Sequence, residues 1–325
     1  MNRRNRLPRV VALASVAVVA LAACGSGPTA TEQTDPPRST SPSAPAADQP
    51  SASPAAPSSS PSASPVTPAE PARPVSGADM AGHIHNLAYD GRQLLIGTHE
   101  GLWGQDPGAK PSQLSDDAFD VMGLAHTDDL WLASGHPGPG MDAPSDLGLL
   151  RSTDSGRTWR EVSLGGEVDF HRLVTSDDVI AGINAHDGRL LRSDDSGSTW
   201  TDLGVPGLYD LAISPADPSI IVGTMESGPV RSTDAGVTFA PLTGAPLLAL
   251  LAWSDGTLYG ADVDGRVHQS TDDGTTWRAL GSLPAQPLAL SAAGATLAAL
   301  VDNVVHESVD GGESFAPRIT DLGGH

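Results

Sequence analysis

Beyond about residue 80 the chain is a succession of short apolar stretches separated by clusters of Gly, Asp, Ser and Pro, and nothing in it is spaced like the apolar stripe of a helix. The clearest stretch reads as four strands in a row, A to D: Leu208 to Ser214, Ile220 to Met225, Gly228 to Ser232 and Phe239 to Leu242. The leucine of strand A recurs as Leu87, Leu124, Leu173, Leu211, Leu251 and Leu290, which predicts six such units. A seventh would need strands from the short stretch before His83, so six are expected over seven.

A second pattern overlays the first. Five octets align: Ser152-Thr-Asp-Ser-Gly-Arg-Thr-Trp159, Ser193-Asp-Asp-Ser-Gly-Ser-Thr-Trp200, Ser232-Thr-Asp-Ala-Gly-Val-Thr-Phe239, Ser270-Thr-Asp-Asp-Gly-Thr-Thr-Trp277 and Ser308-Val-Asp-Gly-Gly-Glu-Ser-Phe315. Their starts are 41, 39, 38 and 38 residues apart, and that regularity makes a repeat architecture out of what would be a weak motif alone. The chemistry is that of a hairpin turn. Asp154, Asp195, Asp234, Asp272 and Asp310 carry short carboxylates able to accept backbone N–H groups. The glycine two residues on permits a positive φ, and the closing aromatic ring begins a strand and packs between sheets. The first unit has Gly101-Leu-Trp-Gly-Gln-Asp-Pro-Gly108 where its octet belongs.

The octet resembles the Asp-box, or BNR repeat, of sialidases, sortilin-like receptors, some plant-wall glycosidases and photosystem assembly factors. The resemblance implies an all-β fold, a β-propeller of four-stranded blades with each octet at the turn between strands C and D. Six blades of about 40 residues account for the repeats. It is silent on activity, because enzymes and non-enzymes share the repeat.

Blade topology then makes a positional argument. The start of strand A and the end of strand B share one face of the disc, and the octets lie on the other. Two residues before its leucine, strand A carries His85, Met122, His171, Tyr209, Ala249 and Leu288; the end of strand B carries His99, His136, His186, Glu226, Asp262 and Asp302. Six histidines, His83, His85, His99, His136, His171 and His186, are thereby expected around one rim as a ligand-binding group, with Arg172 beside them. His85, His136 and His171 are the candidate ligands of a transition metal such as Zn, Cu or Ni, since neutral imidazoles grouped with carboxylates suit these ions. The same groups could act as acid–base catalysts or hydrogen-bond sugar hydroxyls. His126 falls in an A–B turn, and His268 and His306 precede octets. The Gly- and Pro-rich loop from Ser134 to Asp146 enters the same rim from the second blade.

The N-terminus bears on location. Arg3, Arg4, Arg6 and Arg9 flank an apolar run, Val10 to Ala23, of 14 residues, against the roughly 20 that a spanning helix needs. It ends Leu21-Ala-Ala-Cys24-Gly25, which resembles the bacterial lipobox. That implies a signal peptide over 1–23, lipid on Cys24 and a place on the extracytoplasmic face of the cell membrane. With the only cysteine acylated, no disulfide is expected. Residues 24–76 are rich in Pro, Ser and Ala and are expected to be a disordered tether able to reach roughly 150 Å at about 3.1 Å per residue; the propeller is assigned to 77–325. Without the four leader arginines, 14 basic residues face 39 acidic ones, a net charge of −25. That excess argues against nucleic acid, which needs a basic patch. The chain is expected to be a monomer.

Two function classes follow: a surface module binding a glycan, a metal or a protein, or a glycoside hydrolase. A sialidase would need three arginines gripping a carboxylate, and Arg151, Arg192 and Arg231 fall at the octet end of their strands, leaving Arg172 alone. Tyr209 with Glu226, and carboxylates such as Asp169 and Asp262, are the candidate catalytic groups for another glycosidase. No contiguous Ca²⁺ loop of the EF-hand kind is present.

Overall fold

A computed structural model describes residues 73–80, 82–127 and 130–322, and within them the chain forms strands β1 to β25 and no helix. The expected signal peptide, Cys24 and the tether up to residue 72 lie outside the described residues. Six antiparallel sheets follow one another in sequence: β2–β5 (Ile84–Gln113), β6–β9 (Asp120–Ser163), β10–β13 (Phe170–Asp202), β14–β17 (Asp210–Pro241), β18–β21 (Leu248–Ser282) and β22–β25 (Ala289–Thr320). The strand read as Leu208 to Ser214 is Asp210–Ile213, and that read as Phe239 to Leu242 is Ala240–Pro241. The sheets form the six-bladed β-propeller that the leucine spacing predicts.

The packing explains why strand B reads as a continuous apolar run. The second strands are buried along all but a terminal residue, and β3 (Leu94–Thr98) along its whole length, because each is covered on both faces by neighbouring blades. There is no single core. Six apolar clusters fill the six blade junctions; Leu95, Phe119 and Trp131 lie between the first two blades, and Ile183, Leu211 and Ile221 between the third and fourth. The last junction, between the sixth blade and the first, gathers Leu87, Ile96, Leu300 and Ile319 and closes the ring. A short strand, β1 (Val75–Ser76), pairs in parallel with β25 (Ala316–Thr320) as a fifth, outermost strand of the last blade. It lies within the segment that the sequence assigns to the tether.

Each octet forms the turn between the third and fourth strands. In the first, Ser152 Oγ donates to Asp154 Oδ1 at 2.8 Å and accepts from Gly156 N at 2.9 Å, while Thr158 donates through N and Oγ1 to the two oxygens of Asp154. Trp159 Nε1 closes the loop on the carbonyl of Gly156. The hydroxyl, amide and carboxylate bonds recur around Asp195, Asp234, Asp272 and Asp310, with Ser314 in place of threonine in the last, and the indole bond recurs at Trp200 and Trp277. These hydrogen bonds hold the Asp154 carboxyl down at about 2 and lower the other four. The first blade departs from the pattern: Gly101–Gln105 is its third strand, β4, and its turn follows at Asp106.

Candidate functional site

Strand A does not run straight to the mouth. Two residues before its leucine it bulges: Ile84 pairs with Thr98 and Asn86 with Gly97, so His85 is the extra residue. The same shift leaves Met122, His171 and Ala249 without a register partner. In the fourth and sixth blades Tyr209 and Leu288 donate their N–H groups to Thr224 and Leu300, which already face Asp210 and Ala289. A bulge re-aims the side chain of its extra residue, and here it repeats around the rim of the central channel.

The six histidines fall into two groups rather than one. In the first, His85 Nε2 lies 3.1 Å from Asp120 Oδ1 and His99 Nδ1 lies 2.8 Å from Asp120 Oδ2. The ring of His83 sits 5.4 and 5.7 Å from those of His85 and His99. In the second, Asp169 Oδ2 faces His171 Nε2 at 2.7 Å and His136 Nε2 at 3.4 Å. His186 joins this group through Asp146, whose carboxylate is 3.1 Å from His186 Nε2 and 3.7 Å from His136 Nδ1. The candidate trio His85, His136 and His171 is therefore divided: His85 belongs with His99, and the other two belong with Asp169.

The Gly- and Pro-rich loop explains how the second group is held. It folds back so that Leu147 N donates to Gly135 O at 2.8 Å, delivering the Ser145 carbonyl to His136 Nδ1 at 2.9 Å. A carbonyl only accepts, so Nδ1 carries the proton and a neutral His136 turns the lone pair of Nε2 toward Asp169. The Asp169 side chain is 3 % exposed, and its Oδ1 is buried without a hydrogen-bond partner among the described residues. Two acceptors thus converge, one on a buried carboxylate and one on a partly exposed ring.

The other candidates separate. Arg172 Nε lies 3.3 Å from Asp210, a buried carboxylate raised by desolvation against the pull of that guanidinium. Tyr209 and Glu226 line a shallow hollow of about 460 Å³ with Met225, Leu247, Val263 and Leu288; Tyr209 is 59 % exposed. Asp262 is occupied in its own hairpin: it accepts from the N–H groups of Asp264 and Arg266 at 2.9 Å and faces His268 at 3.3 Å. Of the three candidate catalytic groups, Tyr209 and Glu226 share the hollow, and Asp262 is engaged in the B–C turn. His126 ends β6 (Asp120–His126), with its ring 5.9 Å from that of Trp131.

Asp120 and Asp146 are the two residues that sequence reading passed over. The signal was present: four residues before the strand-A leucine stand His83, Asp120 and Asp169 in successive blades.

No protein-family model matches the chain, and no curated protein matches it. Solved structures do. A GH74 xyloglucanase from Xanthomonas campestris is 18 % identical over 75 % of this chain and 46 % of its own, with a TM-score of 0.52. A chain of the nidogen/laminin complex is 14 % identical over 66 % and 88 %, also at 0.52. PorZ, a surface component of the type-IX secretion system of Porphyromonas gingivalis, is 14 % identical over 74 % and 33 %, at 0.50. The likeness is one of fold alone. This chain spans about half the length of the xyloglucanase, and a propeller scaffold hosts both hydrolases and binding proteins, so function has to be argued from the mouth itself.

Proposed function

We propose that this chain is a lipid-anchored binding module of the cell surface that takes up a divalent transition-metal ion at its mouth, with His136, Asp169 and His171 as ligands. One observation carries the reading: His136 Nε2, its lone pair fixed by the Ser145 carbonyl behind it, faces the Asp169 carboxylate at 3.4 Å. Two acceptors so placed repel each other until a cation lies between them. Donors about 2.0–2.1 Å from a tetrahedral ion stand roughly 3.3 Å apart, close to the 3.4 Å between His136 Nε2 and Asp169 Oδ2, while His171 Nε2, at 2.7 Å, would move outward to admit the ion. Two imidazoles with one carboxylate suit Zn, Cu or Ni over Ca or Mg, which prefer all-oxygen sites. The Ser145 carbonyl is the kind of outer partner that fixes the tautomer of a ligating histidine. The acidic surface raises the local concentration of cations.

The test is calorimetric titration of Zn²⁺ into the chain from residue 24 onward, with Cys24→Ser to keep it free of lipid. Binding should weaken more than tenfold in Asp169→Asn and in His136→Ala/His171→Ala. An isotherm that both variants leave unchanged overturns the assignment.

A further inference from the structure

The blade repeat does more than bring histidines to one rim; it builds the same junction twice. In each case a carboxylate four residues before the strand-A leucine of one blade meets the histidine that ends strand B of the blade before it. Asp120 meets His99 in this way, and Asp169 meets His136. The third group comes from the bulge two residues before the leucine. In one junction it is His85 of the earlier blade, and in the other His171 of the later blade. The two groups share no residue, and the bulge of the blade between them is occupied by Met122.

Resting on the metal-binding reading above, we infer that the mouth holds a second ion, bound by His85, His99 and Asp120, so that the chain takes two ions at neighbouring blade junctions.

The local geometry supports this independently of the repeat. His85 Nε2 and Asp120 Oδ1 are both buried and stand 3.1 Å apart, yet neither makes a hydrogen bond among the described residues. Two buried polar atoms facing each other in this way are unusual, because a well-aligned imidazole N–H would satisfy both. The other oxygen of Asp120 meets His99 Nδ1 at 2.8 Å, so the carboxylate offers one oxygen to each ring. The rings are themselves pre-positioned. His99 N donates to His83 O at 3.1 Å, which fixes the chain at the end of the second strand, and the His85 and His99 rings meet edge to face at 4.4 Å. The donor set is again two nitrogens and one oxygen, which selects the same class of ion as the first site.

The experiment is to dialyse the unlipidated mature chain against Zn²⁺, remove free ion and measure bound metal per chain by native mass spectrometry. The parent chain should carry two ions. His85→Ala/His99→Ala should carry one and His136→Ala/His171→Ala the other, while the combined variant should carry none. His99→Gln, at a half-exposed position, repeats the measurement without risk to the core, and circular dichroism confirms the fold of each variant. One ion that survives His85→Ala/His99→Ala and is lost with His136→Ala/His171→Ala overturns the second site and leaves the first standing. One ion with the opposite pattern overturns the first assignment and the count of two. Loss of both ions in either pair of a folded protein means a single shared centre and overturns two independent sites; a parent chain without metal overturns both readings.

Discussion

Arg318→Met tests what holds the ring shut. Arg318 lies on β25 at the seam between the sixth blade and the first and is 4 % exposed. Its Nε donates to Gln105 Oε1 at 2.5 Å and Nη2 to the Gln105 carbonyl at 3.0 Å, while Nη1 donates to both Glu307 and the Tyr89 hydroxyl. Burial pushes the Tyr89 phenol strongly upward, so it keeps its proton and donates to Glu307. Tyr89 and Gln105 belong to the first blade, Glu307 and Arg318 to the sixth. Methionine fills much of the volume, so the main loss is electrostatic: Glu307, 9 % exposed, is left without its counter-charge. Removing one partner of a buried pair costs about 3–5 kcal/mol, a large part of the roughly 5–15 kcal/mol that stabilises a domain. The triple variant Tyr89→Phe/Glu307→Leu/Arg318→Met removes both charges and the hydroxyl and leaves only the Gln105 oxygens short of a donor, at about 1–3 kcal/mol. It should therefore regain about 2 kcal/mol over the single variant. Urea unfolding followed by tryptophan fluorescence, at constant slope, reads both. A loss below about 1 kcal/mol for Arg318→Met, or a triple variant no more stable than the single, refutes the seam argument.

Two further expectations concern the octets. Their aspartates have carboxyl groups lowered in the folded state, so the stability they contribute is complete above the unfolded value near 4 and is lost as pH falls through the folded values, about 2 for Asp154; Asp195→Asn should flatten the fall in thermal midpoint between about pH 4 and pH 2, and an unchanged slope contradicts this. Gly156 has φ +80°, and a Cβ there would come within 2.5 Å of Leu102, so Gly156→Ala should cost about 2–4 kcal/mol from backbone conformation and overpacking together. Gly228, at φ +113° with open space around it, should lose only the conformational part, about 1–2 kcal/mol; equal shifts in midpoint for the two variants would show that the Leu102 contact does not matter.

The fold was legible because its signals are local and repeated. An apolar run such as Leu94–Thr98 can only be covered on both faces, and an Asp-x-Gly turn closed by tryptophan dictates its own hydrogen bonds. The mouth was legible only in part. Counting two residues back from the leucine found His85 and His171 because a bulge happens to sit there, something no alternation pattern announces. Asp120 was missed because it lies in one blade and acts on the histidines of another, a relation set by blade packing rather than by sequence distance. Asp146 was missed because its loop is returned to the rim by backbone bonds with Gly135 and Gly166, which no local pattern announces. The Tyr89–Glu307–Arg318 cluster joins residues more than 200 positions apart, and only closure of the ring brings them together.

The parallel pairing of β1 with β25 sets the direction from which the chain is held. The outer strand β25 leaves an octet and runs toward the histidine rim, and β1 runs the same way alongside its last two residues, Ile319 and Thr320. If Cys24 bears the anchor, any pull on the chain falls along β1 as shear on its pairing with Ile319 and Thr320, and the last blade takes the load before any other.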